Sequence, residues 1–204
     1  MQSADPSSRD RLLDVALELF ASRGYAATST AEIQKASGMS PGSGALYRHF
    51  RSKNEVLRAA LRRGLDRMRD SRAWRQATTP ADRLEALNRV ADAAHQTVIE
   101  NADLVRLMLH EPDAARDLVD ELWMRNLAFA YTTMGHTLRV TANENGSEVE
   151  DPEAISAVLL AALSYMPIMQ VLLGRPPGEM DPDRFRDAWL RLSRAVFTHG
   201  VPTD

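Results

Sequence analysis

The run Thr28-Ser29-Thr30-Ala31-Glu32-Ile33-Gln34-Lys35-Ala36-Ser37-Gly38-Met39-Ser40-Pro41-Gly42-Ser43-Gly44-Ala45-Leu46-Tyr47-Arg48-His49-Phe50-Arg51-Ser52-Lys53 carries a helix start, a helix stop and two further starts in quick succession. Ser29 followed by Glu32 is a capping box: the hydroxyl satisfies a free backbone N–H of the first turn, and the carboxylate reaches back to the cap. Ser52 followed by Glu55 repeats the pattern. The first box predicts a helix from Thr30 to Ser37 with Ile33 and Ala36 inward, ended by Gly38, which accepts left-handed backbone. Leu46 and Phe50, four apart, are the buried anchors of a third, short helix. A helix that short needs packing from outside itself. Leu12, Leu13, Ala16, Leu17 and Phe20 supply it, recurring at helical spacing over Arg9 to Arg23 until Gly24.

The head therefore reads helix, helix, turn, helix. Ser43, Gly44, Ala45, Tyr47, Arg48 and His49 are left outward. Small and polar groups at a helix N-terminus suit close approach to base edges in a major groove. Arg48 can read a guanine or lie solvated; His49 and Tyr47 have equally plain surface and core readings.

From Arg11 to Leu61 the chain resembles the tetracycline-repressor (TetR) family. The resemblance is carried by Ala16, Leu19, Phe20, Gly24, Tyr25, Thr28, Ile33, Ala36, Gly38, Ser40, Gly42, Leu46-Tyr47, His49-Phe50 and Ser52-Lys53. It implies that Thr28 and Ser29 touch the phosphate backbone, that Tyr47 and His49 donate to phosphates, and that Lys53 pairs with one. Ser40 and residues Pro41 to Ala45 would then lie at the base edges. Ser40 to Tyr47 is two residues longer than the commonest family spacing, which leaves base contacts at Pro41, Gly42, Ser43, Gly44 and Ala45 open by one or two positions.

Charge agrees with such a head. Residues 1–75 hold 14 Lys and Arg against 8 Asp and Glu, whereas residues 76–204 hold 11 against 20. A basic third on an acidic body is the asymmetry of a nucleic-acid binder, although a solvated arginine-rich helix gives the same count. Arg58, Arg62, Arg63, Arg67, Arg69, Arg72 and Arg75 crowd a fourth helix expected from residue 53 to about Trp74. Most of them fit salt-bridged faces, with one or two adding to the field that attracts DNA.

The rest of the chain is helical too. Thr79-Pro80, Asp151-Pro152 and Asp181-Pro182 place a polar cap before proline at the first helical position, where its missing N–H costs nothing. Asn101 opens a short helix ending near Pro112, and a long one follows with Val119, Trp123, Leu127, Tyr131, Met134 and Leu138. The expectation is an all-α protein of about nine helices: a DNA-binding domain over 1–52 and an effector-binding and dimerisation domain over 53–204, with the fourth helix as connector.

No cysteine is present, which excludes disulfides and thiolate metal sites. Neither a phosphate loop, a nucleophile elbow nor a metal-spaced histidine pair is visible, so no cofactor, metal or catalytic residue is expected. The family implies a small-molecule site in the body. His95, Met108, Trp123, Asn126, Leu127, Tyr131, Tyr165 and Met166 are its candidates, each also readable as core; their soft, lipophilic character suggests an apolar or aromatic effector. Ala154 to Gly174 contains no charged residue and is long enough to span a bilayer. With acidic caps before it and Pro167 within it, the reading adopted is a core and subunit-interface helix, not a membrane span. Leu159 and Leu163 with Phe185, Trp189, Leu192 and Val196 would form a homodimer interface of two helices per subunit. No signal peptide is seen, and a cytoplasmic location is expected. The functional expectation is a repressor released from a palindromic operator on double-stranded DNA by an unidentified effector. An all-helical enzyme or an activator on the same scaffold is the alternative.

Overall fold

The structure, a computed structural model, describes residues 7–40, 46–70, 83–122, 128–146 and 148–199. Among these there is no strand. The α-helices are α1 Ser8–Arg23, α2 Thr30–Ala36, α3 Lys53–Arg69, α4 Arg83–Glu100, α5 Ala102–His110, α6 Pro112–Leu122, α7 Ala128–Glu144, α8 Pro152–Leu173 and α9 Pro182–His199, with a 3-10 turn at Pro177–Glu179. The ends Trp74 and Thr79-Pro80 foreseen for two helices, and the stretch 123–127 with Trp123, Asn126 and Leu127, lie outside the described residues, as do Pro41 to Ala45.

The helix boundaries follow local chemistry. Ser7 caps α1 by accepting from the Asp10 N–H at 3.1 Å, and Gly24, at φ 84°, ends it. Asp151 and Asp181 cap α8 and α9, accepting from the N–H groups of Ala154 (3.0 Å) and Arg184 (2.8 Å). Both prolines then sit where no donor is needed. Gly38, at φ 79°, makes the turn after α2.

The chain forms two compact units, residues 1–69 with 101–120 and residues 70–100 with 121–204. The boundary expected at residue 52 is thus not where the packing divides. α3 belongs with the head, and so do α5 and the following residues to 120, because α1 packs against both α3 and α5. Leu12, Leu13, Leu17 and Phe20 of α1, Val56, Leu57 and Leu61 of α3, and Leu104 and Leu107 of α5 are all buried. Gly64 permits the approach of α3 to α5: a methyl on it would stand 2.9 Å from Leu104 Cδ1. Asp14 on α1 takes Arg63 Nε at 2.8 Å and Arg67 Nη1 at 2.9 Å, and Asp10 takes Arg63 Nη1 at 3.0 Å, so two connector arginines are spent inside the unit.

The second unit packs α8 against α7, α4 and α9. Its core holds Leu87, Ala91, Leu138, Ala142, Leu159, Leu163, Trp189, Leu190 and Phe197, with Val196 packed at its edge. This corrects the interface expectation. Leu159, Leu163 and Trp189, the last only 3% exposed, close the unit's own core, and the Trp189 indole donates to the Leu159 carbonyl at 2.8 Å. Periodicity marked these residues as apolar but could not say which partner covers them. Of the residues proposed for the interface, Leu192 is exposed; Phe185 and Val196 are half-buried. The exposed apolar side chains of α8 and α9 are Val158, Tyr165, Leu172, Leu173 and Leu192. α8 is long and apolar enough to cross a membrane by length and composition; here one side of it is core.

Candidate functional site

Two regions carry polar groups beyond what packing requires: the head around α2, and a cleft in the second unit. In the head, Leu46 and Phe50 are buried as the i, i+4 anchors, joined by the Phe50 N–H to Leu46 carbonyl bond at 2.9 Å. Tyr47, Arg48 and His49 lie between them and face outward, with Tyr47 58% exposed. The Tyr47 hydroxyl is 3.3 Å from that of Thr30, the first residue of α2. Arg9 lies over the Phe50 ring at 5.2 Å from its centroid.

Two expectations about this region change, at Thr28 and Ala36. Thr28 is 1% exposed, and its hydroxyl donates to the carbonyls of Gly24 (2.9 Å) and Leu19 (3.2 Å). It locks the α1–α2 loop and cannot reach a phosphate. Ser29 is the α2 cap as predicted: its hydroxyl accepts from the Glu32 N–H, and the Glu32 carboxylate accepts from the Ser29 N–H at 2.7 Å. Those bonds from the Ser29 backbone and hydroxyl hold the Glu32 carboxyl below the usual carboxylate range, with Arg23 and Lys53 acting in the same direction. Ala36 is exposed, and the inward face of α2 is Ile33, Gln34 and Ser37. The Ser37 hydroxyl bonds back to the Ile33 carbonyl at 2.8 Å, which keeps that side chain inside.

Lys53 opens α3 as expected. Its ammonium lies 4.2 Å from the Tyr25 ring centroid and 3.4 Å from the Ala26 carbonyl. Sequence reasoning did not single out Thr30 as a Tyr47 partner or Tyr25 as a platform for Lys53. Tyr25 stood only among the residues carrying the resemblance. Ser40 is exposed.

The cleft in the second unit has a volume of about 540 Å³ and lies among α4, α8 and α9. Ala91, Leu163, Met166, Pro167 and Phe185 give it an apolar wall, while Asp92, Asp183 and Asp187 face it together with His95 and Arg186. Arg186 Nε donates to Asp92 at 2.5 Å, and its Nη1 lies 3.5 Å from Asp187. The hydrogen bond to Asp92 holds the Arg186 guanidinium above its ordinary value, with the charges of Asp187 and Asp183 adding. Of the pocket residues expected from the sequence, His95 and Met166 line this cleft. Tyr165 is exposed outside it, and Tyr131, on α7, is not among its lining residues. Met108 belongs to the first unit. Phe185, expected at a subunit interface, is part of the wall.

Among the described residues the secondary structure is helical throughout, and residues 46–49, expected within a third helix, form a turn before α3. Residues 12–60 match the family described as bacterial regulatory proteins, tetR family. It is similar to the HTH-type transcriptional regulator BetI of Rhizobium meliloti, 38% identical over 95 residues, 45% of each chain. A second relative is the HTH-type transcriptional repressor KstR2 of Mycolicibacterium smegmatis, 38% identical over 87 residues, 42% of each chain. The matched part thus spans less than half the length of these relatives. A solved protein of Saccharomonospora viridis, assigned as a transcriptional regulator and crystallised with choline, superposes with a TM-score of 0.68. It is 25% identical, covering 98% of this chain and 100% of that one.

Proposed function

We propose that the protein is a dimeric DNA-binding transcriptional regulator whose hold on a palindromic operator is released by a small molecule. The observation that carries this reading is the exposed edge of the head. There the Tyr47 and Thr30 hydroxyls, with Lys53 at the start of α3, present donors and positive charge at one surface. A helix N-terminus adds free N–H groups to that charge, which suits phosphate oxygens. Relatives named as regulators and repressors support the same reading. The test is selection of bound duplexes from a random library, scored for palindromy. Recovery of an inverted repeat is the expected result. Failure to retain any duplex at low ionic strength would end the proposal.

The dimer would use the outer side of α8 and α9, where Val158, Tyr165, Leu172, Leu173 and Leu192 leave apolar surface in water. Two recognition segments related by such an axis read half-sites about 34–36 Å apart or a multiple of that.

For the effector, the cleft favours a molecule with an apolar body and a positive head. Three carboxylates face it against one guanidinium, and the Phe185 ring can receive a cation. The apolar wall retains the lipophilic part of the sequence expectation. The choline held by the Saccharomonospora viridis protein is of this type. Calorimetry with alkyltrimethylammonium ions against their uncharged tert-butyl analogues tests it; equal affinity for both would rule out charge recognition. Turnover of any compound in a substrate panel would instead favour the enzyme alternative, and reporter activation the activator one.

A further inference from the structure

Lys53 occupies a position that should repel it. It is the first residue of α3, where unpaired N–H groups and the helix dipole place positive potential. An ammonium there swings away unless something negative holds it. The Glu32 carboxylate of α2 attracts it, and two groups touch it: the face of the Tyr25 ring, 4.2 Å from Nζ, and the Ala26 carbonyl at 3.4 Å. Both belong to the short loop between α1 and α2, so the place of the Lys53 charge is set by the conformation of that loop.

The loop is fixed at its two ends by its own residues. Gly24 turns the chain at φ 84°, and Thr28 is tied to the Gly24 and Leu19 carbonyls. Its middle is fixed from elsewhere. The Tyr25 N–H donates to Glu111 Oε1 at 3.2 Å, across 86 residues of sequence. Glu111 is itself anchored as the C-cap of α5, its N–H donating to the Leu107 carbonyl at 2.9 Å. The Tyr25 ring meanwhile leans on buried Phe20 with centroids 5.5 Å apart. Without the carboxylate, the peptide joining Gly24 to Tyr25 is held only at its carbonyl, by the Thr28 hydroxyl, and the ring loses the tether that fixes it under Lys53.

We propose that Glu111 is a positioning residue for Lys53: it holds Tyr25 in place, and Tyr25 holds the ammonium at the DNA-facing start of α3. Glu111 touches no DNA in this role. α5 follows α4 with only Asn101 between them, so Glu111 caps the end of the first helix that the chain forms on returning from the second unit. A displacement of α5 would reach the Lys53 platform through this one hydrogen bond.

The proposal rests on the DNA-binding reading only for one arm of its test. The other arm uses nuclear magnetic resonance of full-length protein labelled at lysine, without DNA. Ring current should shift the Lys53 ε-methylene protons upfield in the parent, and Tyr25→Leu should abolish the shift. Glu111→Ala should abolish most of it as well. Glu111→Gln, which retains an acceptor oxygen, should keep it. Glu111→Asp, which keeps the charge but shortens the reach, should behave like Ala and serves if the Ala variant does not fold. An unmoved Lys53 resonance in both Glu111→Ala and Glu111→Asp would overturn the proposal. On duplex DNA, Glu111→Ala should weaken binding about threefold to tenfold in the parent and less than about twofold in a Lys53→Ala background. Equal loss in both backgrounds, or equal effects of Ala and Gln, would also overturn it. A parent that binds no DNA sinks the DNA-binding reading and leaves the resonance result to decide this one.

Discussion

The hydroxyl oxygens of Thr30 and Tyr47 lie 3.3 Å apart. Two hydroxyls carry two protons, and the bond between them uses one. The other is left to donate outward, from whichever residue is not the donor in the pair. Each oxygen can take either part, so the outward donor is oriented by its neighbour whichever residue supplies it.

Tyr47→Phe should therefore weaken DNA binding by roughly tenfold, the size of a hydrogen bond to a charged acceptor. Thr30→Val should cost less, because Tyr47 keeps its proton but loses the group that orients it. Fluorescence anisotropy with a selected operator measures both. Additive losses in the double variant would show that the two hydroxyls act separately.

Lys53→Ala should weaken binding to every duplex alike. The slope of log affinity against log salt concentration should become shallower by about 0.9 for each half-site. An unchanged slope with reduced affinity would mean that Lys53 acts on the fold of the head and not on a phosphate.

Much of the head is legible because its signals are local. The capping box at Ser29 and Glu32, the left-handed Gly38 and the α1 stripe from Leu12 to Phe20 each depend on neighbours within about one or two turns. What could not be read depends on how loops fold back. Thr28 has the composition of a phosphate ligand and becomes a lock because Gly24 returns the chain over the end of α1. The α2 face differs from the expected one because Ser37, a polar residue, is buried through a bond to its own helix. Trp189 shows the same limit in the body. An apolar stripe announces burial without naming the surface that provides it.

Trp189→Phe should lower stability by about 1–3 kcal/mol, combining the lost hydrogen bond to Leu159 with the space left by the smaller ring. Urea unfolding followed by far-ultraviolet circular dichroism reads this directly. No change would indicate that the indole N–H finds an equal partner in the unfolded chain and that the core closes over the gap.

Gly135→Ala separates packing from propensity. In an open helix the change would stabilise by about 1 kcal/mol. Here a methyl would stand 3.1 Å from the backbone N and Cα of Glu153, at the start of α8, and a helix backbone cannot turn aside as a side chain does. The expected sign is destabilising, by about 1–3 kcal/mol, through separation of α7 from α8. A raised melting temperature would contradict this close approach.

The capping box should also appear in the pH dependence of stability. Bonds from Ser29 lower the folded-state pKa of Glu32. Its contribution is therefore present above the unfolded value of about 4.3 and is lost as pH falls through the lowered folded value. The stability difference between parent and Glu32→Gln should be full at neutral pH and shrink in acid. A difference that stayed constant down to pH 2 would mean the charge plays no part in the cap.

The head is written in two pieces, residues 1–69 and 101–120, with the segment between them belonging to the other unit. During synthesis α1, α2 and α3 therefore leave the ribosome before α5 exists to cover them. Leu17 and Leu61 must wait in water, or in a chaperone, until Leu104 and Leu107 arrive. A message truncated before Asn101 would yield a nascent head with one wall missing, prone to aggregation and poorly shaped for a duplex. Stop codons before Asn101 are thus expected to leave an incomplete first unit, whereas stops after Asp120 spare all of its residues.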